Sequence, residues 1–323
     1  NKIECQKFKF DWVKSAIGTQ DEYPRIVKID SKGFIYIVGQ FNSKTLNIGG
    51  YIIKKGNTLH DLVSNMFLIK YNSNGTVLWT KSINAPDNAD IAGIDIDLED
   101  NILLFIYADS FYADLDSLRV YSKRASNMLL AKYSEHGNLI WTKSLGCDNN
   151  LSGIGGLVID SENNFYISGY YGGTIYDDDG SVIVERKIID ADEGYIMKFN
   201  NNGKFLWIKT ITGPKFENVT SMTIDKDQNI ILYGQYGGKS MSIDSLTIEN
   251  SGDLQSFGNY YYDIFLIKLN KDGKAKWIKS LKGKRDEWPN FKIMTDQENN
   301  IYATGAFESD TIYFSNSKLF LPQ

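Results

Sequence analysis

The chain has few of the residues on which metal centres and disulfide frameworks depend. Its 323 residues include only two histidines, His60 and His136, so a multi-histidine metal site is excluded. If the chain forms a ring of repeated units, the two cysteines, Cys5 and Cys147, are well apart in it, and they are predicted to be two free thiols instead of a disulfide. No apolar run approaches the roughly 18 residues that a membrane-spanning helix needs. The composition therefore predicts a globular protein without a helical membrane span.

The charge has no strong bias of either sign. The net charge is −5 with a pI near 5.3, and lysines and arginines are interspersed among the acids. This balance gives no basic surface for nucleic acid or for an anionic membrane, so neither is a predicted partner. The first residues lack the apolar core of a signal peptide, but a start at Asn1 instead of Met is compatible with a removed one. On that assumption an extracellular or bacterial cell-surface location is expected.

A motif, W-x-K-[ST], recurs at intervals of 62 to 70 residues. Its fullest copies read NMFLIKYNSNGTVLWTKS and DIFLIKLNKDGKAKWIKS. The tryptophans of the five copies are Trp12, Trp79, Trp141, Trp207 and Trp277. A second pattern places a glycine nine residues after an aspartate, and its aspartates are Asp30, Asp97, Asp160, Asp225 and Asp296. In the second unit Ile106 replaces the glycine. Five repeats of about 66 residues follow.

Within each unit the periodicity is that of β-strands. Short β-branched and aromatic runs are separated by turn residues, as in VIDSENNFYIS and TIDKDQNIILY, and helical periodicity is missing. We expect a hairpin, then a variable third strand, then the FLIKY-type strand and the tryptophan strand. Such repeats predict an all-β fold, a five-bladed β-propeller. The chain is predicted to be one domain, 1–323, with units at approximately 12–78, 79–140, 141–206, 207–276, and 277–323 plus 1–11.

The two ends of the sequence complement one another. The fifth unit lacks a FLIKY-type strand, and the segment from Lys7 to Trp12 supplies an extra strand at the other end. Pairing this N-terminal strand with the last blade would remove two exposed sheet edges. Closure of the ring by the N-terminal strand is therefore predicted. The alternatives are that the chain belongs to a longer array, or that a C-terminal sorting tail follows Gln323.

The repeat resembles that of the bacterial β-propeller repeat family known as SBBP. The shared pattern is D-x-F-x-x-K-x-x-x-x-G-x-x-x-W followed by D-x-x-G-N-x-Y-x-x-G, carried here by four full copies and one split copy. The resemblance implies a propeller scaffold. It also implies a secreted or surface-anchored bacterial protein, because most members of that family are of this kind.

The repeated tryptophans and aspartates are predicted to be structural. A residue repeated in every unit is expected to do the same packing work in each, and aspartates before tight turns accept hydrogen bonds from nearby backbone amides. The alternatives are sugar stacking by the tryptophans, and a metal or glycosidase site built from the aspartates.

Binding is expected in the segments that differ between units, since loops on a rigid scaffold carry function more often than the scaffold does. Three inserts stand out, 56–65, 176–193 and 250–262. The candidate binding residues are Tyr260, Tyr261, Tyr262, Trp288, Asp177, Asp178 and Asp179. No cofactor is predicted, with calcium at Asp177, Asp178 and Asp179 as the alternative to a solvated turn.

The function expected from these features is non-catalytic. The chain is predicted to be a secreted or surface-associated propeller that acts as a protein-interaction or assembly module, with another protein or a surface polymer as its partner. The alternative is carbohydrate binding by a lectin-like propeller, or a glycoside hydrolase that uses channel carboxylates.

Overall fold

A computed structural model describes residues 11–56, 63–122, 124, 126–149, 151–185, 191–250, 252, 261–289, 292–314 and 317–320. These residues form antiparallel strands and turns, and no helix occurs among them. Consequently, no helix of the described residues is suited to crossing a membrane. The prediction of an all-β chain is confirmed.

The described residues form 31 strands, numbered here in chain order. The first seven are β1 Ala16–Ile17, β2 Glu22–Ile29, β3 Ile35–Phe41, β4 Thr45–Ile48, β5 Tyr51–Lys54, β6 Asn65–Tyr71 and β7 Val77–Asn84. Then come β8 Ala89–Ile96, β9 Ile102–Ala108, β10 Tyr112–Leu115, β11 Leu118–Tyr121, β12 Ser126–Tyr133 and β13 Leu139–Cys147. The third unit adds β14 Leu151–Ile159, β15 Phe165–Tyr171, β16 Ile175–Tyr176, β17 Val182–Val184, β18 Glu193–Phe199 and β19 Phe205–Ile211.

The fourth unit contains β20 Glu217–Ile224, β21 Ile230–Tyr236, β22 Ser240–Ile243, β23 Leu246–Glu249, β24 Asp263–Leu269 and β25 Ala275–Lys282. The last strands are β26 Glu287–Trp288, β27 Ile293–Thr295, β28 Ile301–Ala303, β29 Ala306–Phe307, β30 Thr311–Phe314 and β31 Ser317–Phe320.

Four sheets share one plan, in which four core strands are followed by an outer hairpin. The strand orders are β2-β3-β6-β7-β10-β11, β8-β9-β12-β13-β16-β17 and β20-β21-β24-β25-β30-β31. The third sheet, β14-β15-β18-β19, has the hairpin β22–β23 beside it, joined by a bridge between Thr212 and Ser242. In the fifth unit β26 pairs with β29 and β27 pairs with β28, and β1 pairs with the hairpin β4–β5.

The outer hairpin is the point at which the predicted strand order is wrong. The variable segment was expected to be the third strand of its own unit. Counted as the sheets are built, a unit runs from its first hairpin strand to its tryptophan strand. The variable segment forms a hairpin that pairs with the tryptophan strand of the preceding unit, as in the contact of Leu115 with Ile83. The FLIKY-type strand therefore pairs directly with the second strand of its unit, as β3 does with β6. Each sheet is tied in this way to the unit that follows it.

Packing explains why the second unit lacks the repeated glycine. In the first and fourth units the glycine faces a phenylalanine across the strands, and a Cβ at Gly39 would lie 2.5 Å from the ring of Phe67. In the second unit the opposed pair is Ile106 and Leu129. The larger residue on one strand is thus balanced by a smaller one on the other, which keeps the volume at the cross-strand pair similar.

Neighbouring units are joined by a repeated hydrogen bond between their aspartate turns. The residue with positive φ in one turn uses its side-chain oxygen to accept from a backbone N–H in the turn of the preceding unit, at 2.9–3.1 Å. The acceptor and donor pairs are Asp100 with Ser31, Asn163 with Leu98, Gln228 with Ser161, and Asn299 with Lys226. In the first unit this position is Gly33, which has no side chain to continue the series.

The repeated tryptophans also lie between units. Each indole of the first four copies packs against a glycine in the next unit's turn between the FLIKY-type strand and the tryptophan strand. The pairs are Trp12 with Gly75, Trp79 with Gly137, Trp141 with Gly203, and Trp207 with Gly273. All four glycines have positive φ, between 75° and 81°, so both the backbone conformation and the space favour glycine. The placement gives the tryptophan a packing role at the boundary of two units.

We therefore expect Trp207→Ala to lower the free energy of unfolding by roughly 3–5 kcal/mol, because it removes an indole that packs against Gly273 and Tyr166. Denaturant unfolding would measure the change. Tyr121→Ala, at an aromatic residue that is 69% exposed on an outer hairpin, is the control and should cost far less. Equal and small losses in the two variants would contradict a packing role.

Candidate functional site

The repeated aspartates are held in turns and by lysines. Asp225 uses one oxygen to accept from the backbone amides of Asp227 and Asn229, at 3.0 and 2.8 Å. Its other oxygen lies 2.7 Å from the Lys268 ammonium, and Asp225 is 2% exposed. Burial alone would raise its pKa, but the hydrogen bonds to Lys268 and Asn229 hold the pKa of Asp225 below its usual range.

The same ion pair recurs in the other units that have a described FLIKY-type strand. The nitrogen–oxygen distances are 3.8 Å for Lys70 and Asp30, 2.7 Å for Lys132 and Asp97, and 3.1 Å for Lys198 and Asp160. Asp296 keeps the turn and accepts from Tyr302 at 3.0 Å, but lies at a more open position. The carboxylates that might have formed a channel site are thus engaged within their own units.

The acidic run in the third unit also meets a lysine. Asp177, Asp178 and Asp179 precede Gly180 in the loop between β16 and β17, and Lys143 forms ion pairs with Asp177 and Asp178. Across the described ranges of the chain, no group of three or more histidine, cysteine, aspartate or glutamate side chains has the arrangement of a metal site. Calcium at this run therefore gains no support from the geometry.

Two of the candidate aromatic residues come together at the opposite end of the sheets from the aspartate turns. Tyr262 precedes β24 and Trp288 ends β26, and their rings lie 5.7 Å apart between centroids. Tyr262 also packs on Gly237, where a Cβ would lie 2.6 Å from its ring. Tyr261 lines a different depression of about 450 Å³ together with Lys284 and Arg285. Tyr260 lies outside the described residues.

Two further aromatic side chains extend this contact into a row. Phe216 meets Tyr262 edge to face with centroids 6.0 Å apart, and Tyr170 meets Phe216 in the same way at 5.2 Å. We call Tyr170, Phe216, Tyr262 and Trp288 the aromatic row. All four are half-buried, and they belong to the third, fourth and fifth units. The row thus crosses two boundaries between units.

The repeat itself shows that the aromatic row is exceptional. The carbonyl of Phe216 accepts a hydrogen bond from Gly237, and the equivalent carbonyls belong to Asp21, Asn88 and Asp286. Likewise, the carbonyl of Tyr262 accepts from Glu287, as that of Asp192 accepts from Glu217. Phe216 and Tyr262 therefore stand at positions that are polar in these sister units, and blade packing does not require aromatic residues there.

Sequence reasoning found Tyr262 and Trp288 but missed Phe216 and Tyr170. The signal was present, because Phe216 departs from the polar residues that precede the first strand in sister units. Finding it requires the repeat register to be extended back beyond the first strand. Tyr170 gave no such signal, since the equivalent residue of the second unit is also a tyrosine, Tyr107.

Acidic side chains lie next to the aromatic row in the sequence and beneath it in the structure. Glu217 follows Phe216, Asp263 follows Tyr262 and Glu287 precedes Trp288. All three carboxyl groups are fully buried. Burial raises the pKa of Tyr262, and the charges of Asp286 and Glu217 add to the effect. The aromatic row therefore lies on a layer of buried acids.

Cys147, the described cysteine, lies at the end of β13 and is not part of the aromatic row. Its thiol is buried, and burial raises its pKa, which favours the neutral and less nucleophilic form. Cys5 and His60 lie outside the described residues. His136 is an exposed turn residue beside Glu135.

Comparison with known proteins supports the repeat fold. No family model matches the chain. A curated protein of Acanthamoeba polyphaga mimivirus, named "Uncharacterized WD repeat-containing protein L264", is 24% identical over 365 residues. The match takes in 95% of this chain but 26% of that protein, so the chain spans about a quarter of the relative's length. Together with the all-β repeat structure, this similarity identifies a β-propeller-type repeat protein.

Proposed function

We propose that this chain is a non-catalytic protein-interaction module that binds its partner through the aromatic row. The observation that supports the proposal is the replacement of polar repeat positions by Phe216 and Tyr262, whose rings contact each other. Residues that depart from the repeat and still meet in space have a role other than holding the blades together. A protein-binding role also agrees with similarity to a WD repeat protein.

The aromatic row has the character of a binding hot spot. Half-buried aromatic side chains on a rigid scaffold offer large apolar area and lose little conformational entropy when a partner covers them. Each ring is already positioned by a neighbour, with centroid distances of 5.2–6.0 Å along the row. A partner would therefore meet a preformed surface.

The proposal does not include catalysis. Asp30, Asp97, Asp160 and Asp225 are bound by turn amides and lysines, and Glu217 lies buried beneath the row. These environments do not provide an accessible pair of carboxyl groups with a pocket between them. A secreted or bacterial surface location and membership of the SBBP family belong to the same proposal and rest on the sequence resemblance.

Carbohydrate binding is the competing function. A lectin-like propeller is expected to repeat its aromatic pockets around the ring, whereas in the described part of the chain the aromatic row occurs once, across units three to five. Its edge-to-face contacts at Tyr170 and Phe216 also give an uneven surface where sugar stacking favours a flat face. Both features favour a protein partner.

Substitutions that copy the sister units test the binding role of the row. Phe216→Asn introduces the residue of the second unit, Asn88, and Tyr262→Ser introduces that of the first, Ser64. Protein and glycan arrays probed with the unaltered chain would first identify a partner. The affinity for that partner should fall at least about 30-fold in either variant, which is the loss typical of a hot-spot residue. The melting temperature should change little, because sister units fold with these residues.

The matched control is Phe111→Ser. The Phe111 ring is 59% exposed, and Phe111 belongs to the second unit, outside the three units that carry the aromatic row. This variant should bind as the unaltered chain does. Undiminished binding by the Phe216 and Tyr262 variants would contradict the proposed site. Selective binding to glycans, lost on substitution of either ring, would instead support the carbohydrate alternative.

We further propose that the units close into a five-bladed ring, with the N-terminal strand completing the last blade. A groove of about 550 Å³ beside the fifth unit is lined by apolar residues that include Leu266, Trp277, Ile301 and Phe314. On the first unit, Val27 and Ile29 of β2 are 59% and 65% exposed. The equivalents of Val27 in the three following units, Ile94, Leu157 and Met222, are all buried by neighbouring units.

The charges of the first and fifth units also support a ring. Burial lowers the pKa of Lys292, and the like charge of Lys28 lowers it further. The two lysines belong to opposite ends of the array, and an effect of one ammonium on the other requires them to be near each other, which supports a ring.

Deletion of residues 1–11 should therefore expose the apolar groove and cause aggregation or a large loss of stability. A finer variant, Phe8→Ser with Phe10→Ser, keeps the chain length and removes the apolar side chains of this segment. Light scattering and thermal unfolding would report the effects. A monomeric deletion variant of unchanged stability would show that the last blade is completed in another way.

A further inference from the structure

Two pairs of carboxyl groups lie at matching places beneath the aromatic row. Glu193 begins β18 and Glu217 begins β20, while Asp263 begins β24 and Glu287 begins β26. All four residues are fully buried, at 0% exposure. Acidic residues are rarely buried to this extent unless they are paired with a cation.

Backbone hydrogen bonds place the second acid of each pair beside the first. The Glu217 amide donates to the carbonyl of Asp192 at 2.9 Å, and the Glu287 amide donates to the carbonyl of Tyr262 at 2.9 Å. Since Asp192 precedes Glu193 and Tyr262 precedes Asp263, each bond joins two strand starts from consecutive units. The carboxyl groups therefore meet at the boundary between units three and four, and again between four and five.

Hydrogen bonding distinguishes the two members of each pair. Glu193 accepts from the Tyr171 hydroxyl at 2.7 Å, and Asp263 accepts from the Gly283 amide at 3.1 Å, and both bonds favour a charged carboxylate. By contrast, among the described residues Glu217 has no side-chain donor, and the Gly213 backbone N–H is the one group whose hydrogen bond favours its charged form. One oxygen of Glu287 accepts from Ser309 at 2.5 Å, and its other oxygen has no partner.

The fourth unit lacks a serine that donates a hydrogen bond to the equivalent glutamate in two other units. In the first and fifth units a serine after the second strand, Ser43 or Ser309, donates to the glutamate at the start of the first. In the fourth unit this position is Gly238, and a Cβ there would meet Pro214 at 2.8 Å. Glu217 is left without this hydroxyl donor as a result.

The surrounding charges do not compensate the acids. Tyr171 and Tyr262 face the first pair, and Asp286 and Tyr236 face the second. Within the described residues, no lysine or arginine forms an ion pair with Glu193, Glu217 or Glu287. Burial, then repulsion from Glu193, raises the pKa of Glu217 to about 9. Burial, with repulsion from Asp263, raises the pKa of Glu287 to about 8.

We propose that each carboxyl pair binds one proton in the folded protein, and that loss of these protons loosens the two boundaries beneath the aromatic row. Glu217 and Glu287 carry the protons, because each has weaker donors than its neighbour. Glu193 accepts from the Tyr171 hydroxyl, whereas Glu217 has no side-chain donor among the described residues. Asp263 accepts from Gly283 and Tyr236, whereas Glu287 accepts from Ser309 alone in the same part of the chain. The proton allows one carboxyl group of each pair to be neutral beside its charged neighbour, which removes the repulsion between them. This effect of the two carboxyl pairs on stability is independent of whether the aromatic row binds a partner.

The pH dependence of stability follows from this arrangement. A glutamate in the unfolded chain loses its proton near pH 4.3, whereas the folded chain keeps these two protons to about pH 8 and 9. The stabilising effect is complete below the unfolded value and is lost as the pH rises through the folded values. Between about pH 5 and 8, each of these protons makes the folding equilibrium constant fall about tenfold for every unit by which the pH rises.

Denaturant unfolding at pH 6, 7 and 8 tests the proposal on the chain alone. The folding constant of the unaltered chain should fall steeply, by up to about 100-fold per pH unit. Glu217→Gln combined with Glu287→Gln supplies neutral side chains that need no proton, so the fall should be largely abolished. Each single variant should remove about half of it on a logarithmic scale.

Glu22→Gln is the matched control. Glu22 occupies the same place in the first unit, but it is half-buried and accepts from Ser43, so its substitution should leave the slope unchanged. Parallel slopes for the unaltered chain and the double variant would overturn the proposal. A folding constant of the unaltered chain that stays level or rises from pH 6 to 8 would overturn it without any variant.

Discussion

A buried ion pair between a turn aspartate and a strand lysine holds each of the first four units together. One aspartate oxygen organises the turn, and the other meets the lysine, as at Asp225 and Lys268, 2.7 Å apart. The aspartate closes the hairpin of the first two strands, while the lysine lies on the next strand of the sheet. Because an unpaired charge at such a site is costly, the pair requires the three strands to be present together.

The two ends of the sheets consequently differ in how far their residues vary between units. At the aspartate end, turns, lysines, tryptophans and glycines form contacts within and between units, and these positions recur. At the other end the repeat is relaxed, and Phe216, Tyr262 and Trp288 form a surface that only part of the array shares. A rigid end thus supports a variable one, which is how a repeat scaffold acquires a binding surface without loss of its fold.

Much of the scaffold could be predicted from sequence, because local periodicity and turn chemistry repeat with it. The hairpins around Asp30 and Asp225 follow from Asx-type turns and β-branched runs. The pairing of the outer hairpin with the preceding unit could not be predicted. The hydrophobic pattern of a strand does not show whether its partner belongs to its own unit or to the preceding one. The contact of Leu115 with Ile83 depends on the three-dimensional arrangement of consecutive units.

The site was harder to predict than the scaffold. Tyr262 and Trp288 are 26 residues apart in the sequence, and only the fold shows that their rings are in contact. The buried acids gave no sequence signal, because glutamate at a strand start usually faces water. Their burial depends on the hydrogen bond that joins Glu217 to the segment before Glu193. Features that arise between units are thus the ones that a single unit's sequence does not specify.

The most direct test of this account is a double-mutant cycle on the buried pair of the fourth unit. Asp225→Ala and Lys268→Met are each expected to lower the free energy of unfolding by about 3–5 kcal/mol, because each leaves a buried charge without its partner. The double variant should lose clearly less than the sum of the two, since neither charge then remains. Additive losses, each below about 1 kcal/mol, would contradict the claim that the ion pair holds the unit together.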